Sequence, residues 1–209
     1  MKAEHIELVR NWRNSERLKP YMHFKQHITK EMQKAWFEKV NNTNNFYFLL
    51  SNEKEKIGLF FLKEIDYQNK IAEPGNFVWH EKHIESMETA IGVISIGYFA
   101  FYFLQMEKMQ FHVLKKNKRA LANHKVLGAN IIEDLDENSV RLEVTEKNFT
   151  NGPQKRLSQV LNVMSDAITE TKIILEEADF QSNLANHLIK FYSNLPENLQ
   201  KNVVLVYPK

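Results

Sequence analysis

The stretch AIGVISIGYFAFYFL, from Ala90 to Leu104, limits this chain more than any other segment, because it is uncharged and almost wholly apolar or aromatic. At about 15 residues it is shorter than the ~20 that cross a bilayer, so it reads as a helix buried in a protein core. The chain has 209 residues, 43% hydrophobic and 26% charged, enough for one such core plus an appendage and too apolar for intrinsic disorder.

Charge removes further classes. Lys and Arg number 28 against 26 Asp and Glu, a net +2, which builds no dominating field for nucleic acid or an anionic membrane. The absence of cysteine excludes disulfides, thiolate nucleophiles and sulfur-ligated zinc, and fits a reducing compartment. Met1 to His5 is polar and lacks the apolar run and cleavage site of a secretory signal. The expectation is a cytoplasmic protein, with no nucleic-acid or membrane partner; a homodimer is left open.

Hydrophobic spacing organises the rest. Ile6, Leu8, Val9 and Trp12 give a short amphipathic helix, and Thr29 caps a second whose inner face is Met32, Trp36, Phe37 and Val40. Three extended runs follow, Asn45 to Leu50, Lys56 to Ile65 and Lys70 to His80, separated by polar turns and forming an antiparallel meander. The apolar helix, Ser86 to Gln105, comes next. After it the pattern predicts a strand Met109 to Leu114, a helix Lys118 to Leu127 ended by Gly128, and strands Asn130 to Leu135 and Val140 to Thr145. Gly152-Pro153 opens a different segment. It has helices on Leu157 to Met164 and on Phe180 to Phe191, a strand Val203 to Tyr207, and an Ile168 to Leu175 run that suits either helix or strand. The division is therefore residues 1–150 and a mainly helical extension, 151–209.

The element order, together with Leu8-Val9-Arg10-Asn11-Trp12-Arg13-Asn14, Tyr21-Met22, Ile28 and Trp36-Phe37, resembles the GNAT superfamily of acyl-CoA-dependent N-acetyltransferases. The similarity is to its amino-sugar (PseH-like) branch and its ribosomal-protein N-terminal acetyltransferase branch. Asn117 to Gly128 is similar to the family's Asn-x-x-Ala-x-x-x-Tyr-x-x-x-Gly segment. The resemblance spans roughly residues 4–147. It implies an α+β fold, a mostly antiparallel central sheet flanked by helices, and transfer of acetyl from acetyl-CoA to the primary amine of a small molecule, an amino sugar or sugar nucleotide. A protein N-terminus is the alternative acceptor, and a catalytically degenerate interaction module is the alternative role.

Two departures from the family pattern stand out. The stretch His80 to Glu88, where the resemblance places a pyrophosphate loop, has no glycine, and His124 replaces the usual tyrosine general acid. The resemblance also leaves no first strand before the first helix, a place that Val203 to Tyr207 could take at the sheet edge. Acyl transfer to an amine needs a polarised carbonyl and a proton for the departing thiolate, and no metal. His124 supplies an imidazole for that proton. Glu73, or His80 on the opposite strand face unless a bulge intervenes, accepts the amine's proton through water. Phosphates fall to the helix start at Ser86 with Lys82, Lys115, Lys116, Lys118 and Arg119; the same cations also suit a solvated patch. Asn117 either caps its helix or touches the donor, with Asn123 in the same motif. By resemblance, Trp12, Arg13, Asn14 and Met22 line the acceptor pocket. Pro74-Gly75 marks a bulge or a turn in the third extended run.

Overall fold

The computed structural model describes residues 1, 3–22, 24–42, 44–51, 54–75, 78–83, 87–126, 128–154, 171–175, 177–181, 184–193 and 203–208. Helix α1 (Ile6–Arg13) carries Val9 and Trp12 on its buried side. Helix α2 (Lys30–Val40) starts where the Thr29 hydroxyl accepts the Met32 amide at 3.2 Å. Its inner face differs from the hydrophobic reading: Met32 is exposed, while the fully buried residue is Gln33. One helical step separates the two, and an arginine on α1 supplies the polar partner that lets Gln33 be the one inside.

The meander forms as β1 (Phe46–Ser51), β2 (Lys56–Asp66), β3 (Ile71–Pro74) and β4 (Val78–Trp79). Its third run is thus broken in two. Leu62 faces Pro74 and Leu59 faces Val78, so three steps along β2 correspond to four along its partner. That one extra residue is a β-bulge. Gly75 is required there, since an added Cβ would lie 1.4 Å from the Phe61 ring. The bulge also brings Glu73 and His80 to the same face of the sheet.

Helix α3 (Met87–Tyr98) continues into a π-helical turn, Phe99–Phe103, before β5 (Lys108–Leu114). Helix α4 (Lys118–Val126) stops at Gly128, whose φ of +86 is the left-handed conformation that ends helices. Strands β6 (Asn130–Asp134) and β7 (Ser139–Thr145) lead into the short α5 (Glu146–Phe149). Among the described residues, seven strands make one sheet in the order β1-β2-β3-β5-β7-β6, with β4 on β2. All pairs are antiparallel except β3 with β5.

The sheet buries both faces. On one, Phe60, Leu62, Ala72, Met109, Phe111 and Val113 pack with Ile96 and Ala100 of the apolar helix. On the other, Leu59, Phe61 and Val78 meet Val9 and Trp12. Of the stretch expected to be buried, Ile96, Ala100, Phe101, Phe103 and Leu104 lie in the core, the side chains of Ala90 and Ile91 lie outside the described residues, and no described helix is long and apolar enough to cross a membrane.

In the last segment, β8 (Thr171–Ile174) pairs in parallel with β9 (Val203–Val206). Helices α6 (Glu177–Gln181) and α7 (Leu184–Ser193) lie between them in sequence. The ambiguous run therefore contains a strand, and Val203 to Val206 does not join the edge of the main sheet. It pairs instead with a run of matching β-branched character. Leu175 and Ala185 belong to the main core cluster, anchoring this segment. The expected helix on Leu157 to Met164 lies outside the described residues.

Candidate active site

The decisive local feature is where pairing stops. Among the described residues, strands β3 and β5 match only at Ile71–Lys108 and Ala72–Met109. Beyond that point β5 stays bonded to β7 as far as Leu114–Ser139, while β4 turns with β2. The bulge at Pro74-Gly75 diverts one strand, and the sheet opens as a wedge.

A narrow cavity of about 30 Å³ lies in the wedge on the α3 side, lined by Pro74, Val93, Ile96, Met109, Phe111, Phe149 and the His124 imidazole. His124 is the polar side chain of the lining. Its ring packs 4.5 Å from that of Phe111, and burial lowers its pKa from 6.5 to about 4. The imidazole is therefore neutral at physiological pH, and can offer an N–H as a hydrogen-bond donor without arriving protonated.

The opposite face of the sheet is polar at the same level. Glu73 projects there and pairs with Lys63 at 2.9 Å. Under α1 and α2, the Arg13 guanidinium donates to Gln33 Oε1 at 3.1 Å and lies 5.0 Å from the Trp36 ring centroid. Burial lowers the Arg13 pKa from its ordinary value, and burial pushes the Tyr47 hydroxyl up to about 12, so this tyrosine stays neutral. The Gln33 Nε2 group is buried and makes no hydrogen bond with the described residues, an inward donor unusual for a folded chain.

The sequence-predicted residues fall into distinct groups. Trp12 is 6% exposed and belongs to the core, with its ring 6.4 Å from that of His80. Asn14 binds the Ile28 backbone twice, accepting from its N–H at 2.8 Å and donating to its carbonyl at 2.9 Å. Its amide thereby pins the loop between α1 and α2 and is occupied. Met22 is buried after a short helical turn. Arg13 alone of the four presents a charged group at the polar face.

Lys82, in the turn before α3, is exposed, as are Lys116 and Lys118 after β5. Lys115 is drawn away, its ammonium 2.6 Å from Asp134 and 3.0 Å from the Asp136 carbonyl. Asn117 Oδ1 accepts the Ala120 amide at 3.1 Å, the capping arrangement. Ser86 and the side chains of Arg119 and Asn123 lie outside the described residues. Arg17 reaches the Glu81 carbonyl at 3.3 Å. Desolvation, and then the Lys116 charge, lower the pKa of Lys25, which places a further cation near the β5–α4 turn.

Sequence reasoning missed Gln33 and Lys63. The spacing of Gln33 with Trp36, Phe37 and Val40 could have placed the former on the inner face; Lys63 needed the β2–β3 register.

The fold as a whole is similar to that of solved acetyltransferases. Spermidine N-acetyltransferase from Vibrio cholerae, in complex with CoA and spermine, superposes with a TM-score of 0.65 at 17% identity, covering 72% of this chain and 95% of that one. Apo FdhC, a nucleotide-linked sugar GNAT, gives 0.64 at 18% identity, covering 75% and 90%. No family profile matches the sequence, and no curated protein matches it. At these identities the likeness is one of fold.

Proposed function

We propose that the chain is an N-acetyltransferase that moves acetyl from acetyl-CoA to a primary amine of an amino sugar or sugar nucleotide. The observation that carries this reading is the wedge, where β3 and β5 part after two described residue pairs beside a narrow apolar cavity that His124 helps to line. The slot is apolar, as a pantetheine arm requires, but at about 30 Å³ it would have to widen by side-chain movement to admit one; Lys82, Lys116 and Lys118 suit the phosphates. Bound acetyl-CoA would supply an activated carbonyl from which a thiolate departs as the amine attacks. His124, neutral in the resting protein, would donate a hydrogen bond to that sulfur, and the developing negative charge would raise the proton affinity of the ring. Glu73, paired with Lys63, would orient the acceptor's ammonium and lead its proton to water.

The structural neighbour from Vibrio cholerae is crystallised with spermine, a polycation. In this chain Glu73 is already neutralised by Lys63, and Arg13 stands on the same side of the sheet. That balance favours an acceptor with anionic groups, as a sugar nucleotide has. We further propose that residues 151–209 are an appendage to the catalytic unit 1–150.

The test is thiol release from acetyl-CoA with three acceptors: an aminodeoxy sugar nucleotide, spermidine and a peptide with a free N-terminus. Turnover with the first supports the reading, and turnover only with the peptide shifts it to a protein N-terminus. If acetyl-CoA at 100-fold over micromolar fails to raise the melting temperature, the interaction-module role replaces catalysis, since ligand binding must stabilise the folded state.

A further inference from the structure

The turn that leads toward α3 holds a cluster which acyl transfer does not use. His80 and His83 are three residues apart across a 3₁₀ turn, Glu81–His83, closed by the His83 amide donating to the His80 carbonyl at 2.9 Å. In that helix type side chains at i and i+3 eclipse, so both imidazoles rise on one side. Their ring centroids are 5.9 Å apart. Glu55, 28 residues back and next to the start of β2, reaches the same place, with its carboxylate 3.1 Å from His83 Nε2. One ligand atom from each of the three lies within 4.8 Å of the others.

We propose that Glu55, His80 and His83 form a binding site for a divalent transition-metal ion of the zinc class. A histidine–carboxylate hydrogen bond accounts for Glu55 and His83 but gathers no second imidazole. Two nitrogens and one oxygen are the donor set of three-ligand zinc sites, and imidazole selects zinc, nickel or cobalt over magnesium or calcium. Ligand atoms of a tetrahedral zinc ion lie about 3.3 Å apart given its bond lengths. Glu55 and His83 already stand at that separation, and His80 has at most about 1.5 Å to close by side-chain rotation. The only described constraint on its Nδ1 is a long contact, 3.3 Å, from the Lys82 amide. Trp12, edge-on at 6.4 Å, backs the His80 ring. The side chains of His83 and Glu55 are 16% and 39% exposed, so an ion can enter from solvent. Once bound, it would tie the connection before β2 to the turn before α3 and keep open positions for water or an anion.

The site is tested on the full chain, stripped with chelator and titrated with zinc by calorimetry, with cobalt absorption as a second readout. The expected result is one zinc per chain, a raised melting temperature, and no response to magnesium. Glu55→Gln and His83→Ala should each weaken zinc binding at least tenfold, whereas His27→Ala, at an exposed histidine elsewhere, should not. Circular dichroism of the unloaded variants shows that they are folded. Zinc uptake unchanged in both variants, or no uptake by the parent chain at micromolar zinc, overturns the proposal. Neither outcome depends on acetyl transfer, so this site and the catalytic reading stand or fall separately.

Discussion

On one side of the opened sheet, Pro74, Val93, Met109 and Phe111 make a slot with a single imidazole in it. On the other, Arg13, Gln33, Tyr47 and the Lys63–Glu73 pair crowd a polar layer beneath α1 and α2. The two sides solve different problems. An apolar slot holds a flexible arm through burial, which is non-directional and tolerates motion. A polar layer selects a partner by geometry, because each donor left without an acceptor costs free energy. The proposed transfer of an acetyl group from a long carrier, which departs as its thiol, to a specific amine would use one of each, and the broken β3–β5 pair is where they meet.

The contrast can be broken at several points. The largest effect is expected in stability against pH. Since His124 refuses a proton until about pH 4 while the unfolded chain accepts one near 6.5, stability present above pH 6.5 is lost as pH falls toward 4, by up to about 3 kcal/mol. His124→Leu should flatten that part of a denaturation profile; an unchanged slope would mean the ring is already solvated. In turnover, His124→Ala should lower kcat about 100-fold with KM for acetyl-CoA nearly constant, as loss of a proton-handling group does. Equal loss of kcat and affinity would make the residue part of the slot wall instead.

On the polar side, Asn14→Ala removes both bonds to Ile28 and should cost about 2 kcal/mol, seen as a melting temperature lower by roughly 5 °C. An effect confined to acceptor KM, with no change in melting, would return Asn14 to the acceptor pocket. Arg13→Met should raise KM for an anionic acceptor about tenfold and leave spermidine unaffected; the reverse pattern would favour a cationic acceptor. The smallest change is expected for Lys115→Ala. Its ammonium is engaged by Asp134, so acetyl-CoA affinity should alter less than twofold, and stability by under about 0.5 kcal/mol, as for a surface pair.

Much of the fold could be read directly. The caps at Thr29 and Gly128, the polar turns between β-runs and the uncharged length of α3 are local signals, and they gave element type and order. The Asn117 segment was readable in the same way, although the side chain turns out to cap its helix. Other features were hidden because their cause is distant in sequence. Gln33 is buried because Arg13 meets it, Lys115 is occupied because Asp134 lies across the hairpin, and Glu73 shares a face with His80 because of one extra residue between β3 and β4.

What the sequence by itself determined was the set of elements and their buried faces, since propensity, capping and hydrophobic spacing act over a few residues. Only the tertiary structure decided which charged groups are paired, that His124 is held neutral, and that β9 pairs with β8 and not with the main sheet. Those outcomes depend on burial and on contacts between residues far apart in the chain, and no local pattern encodes the dielectric around a side chain or the partner that reaches it.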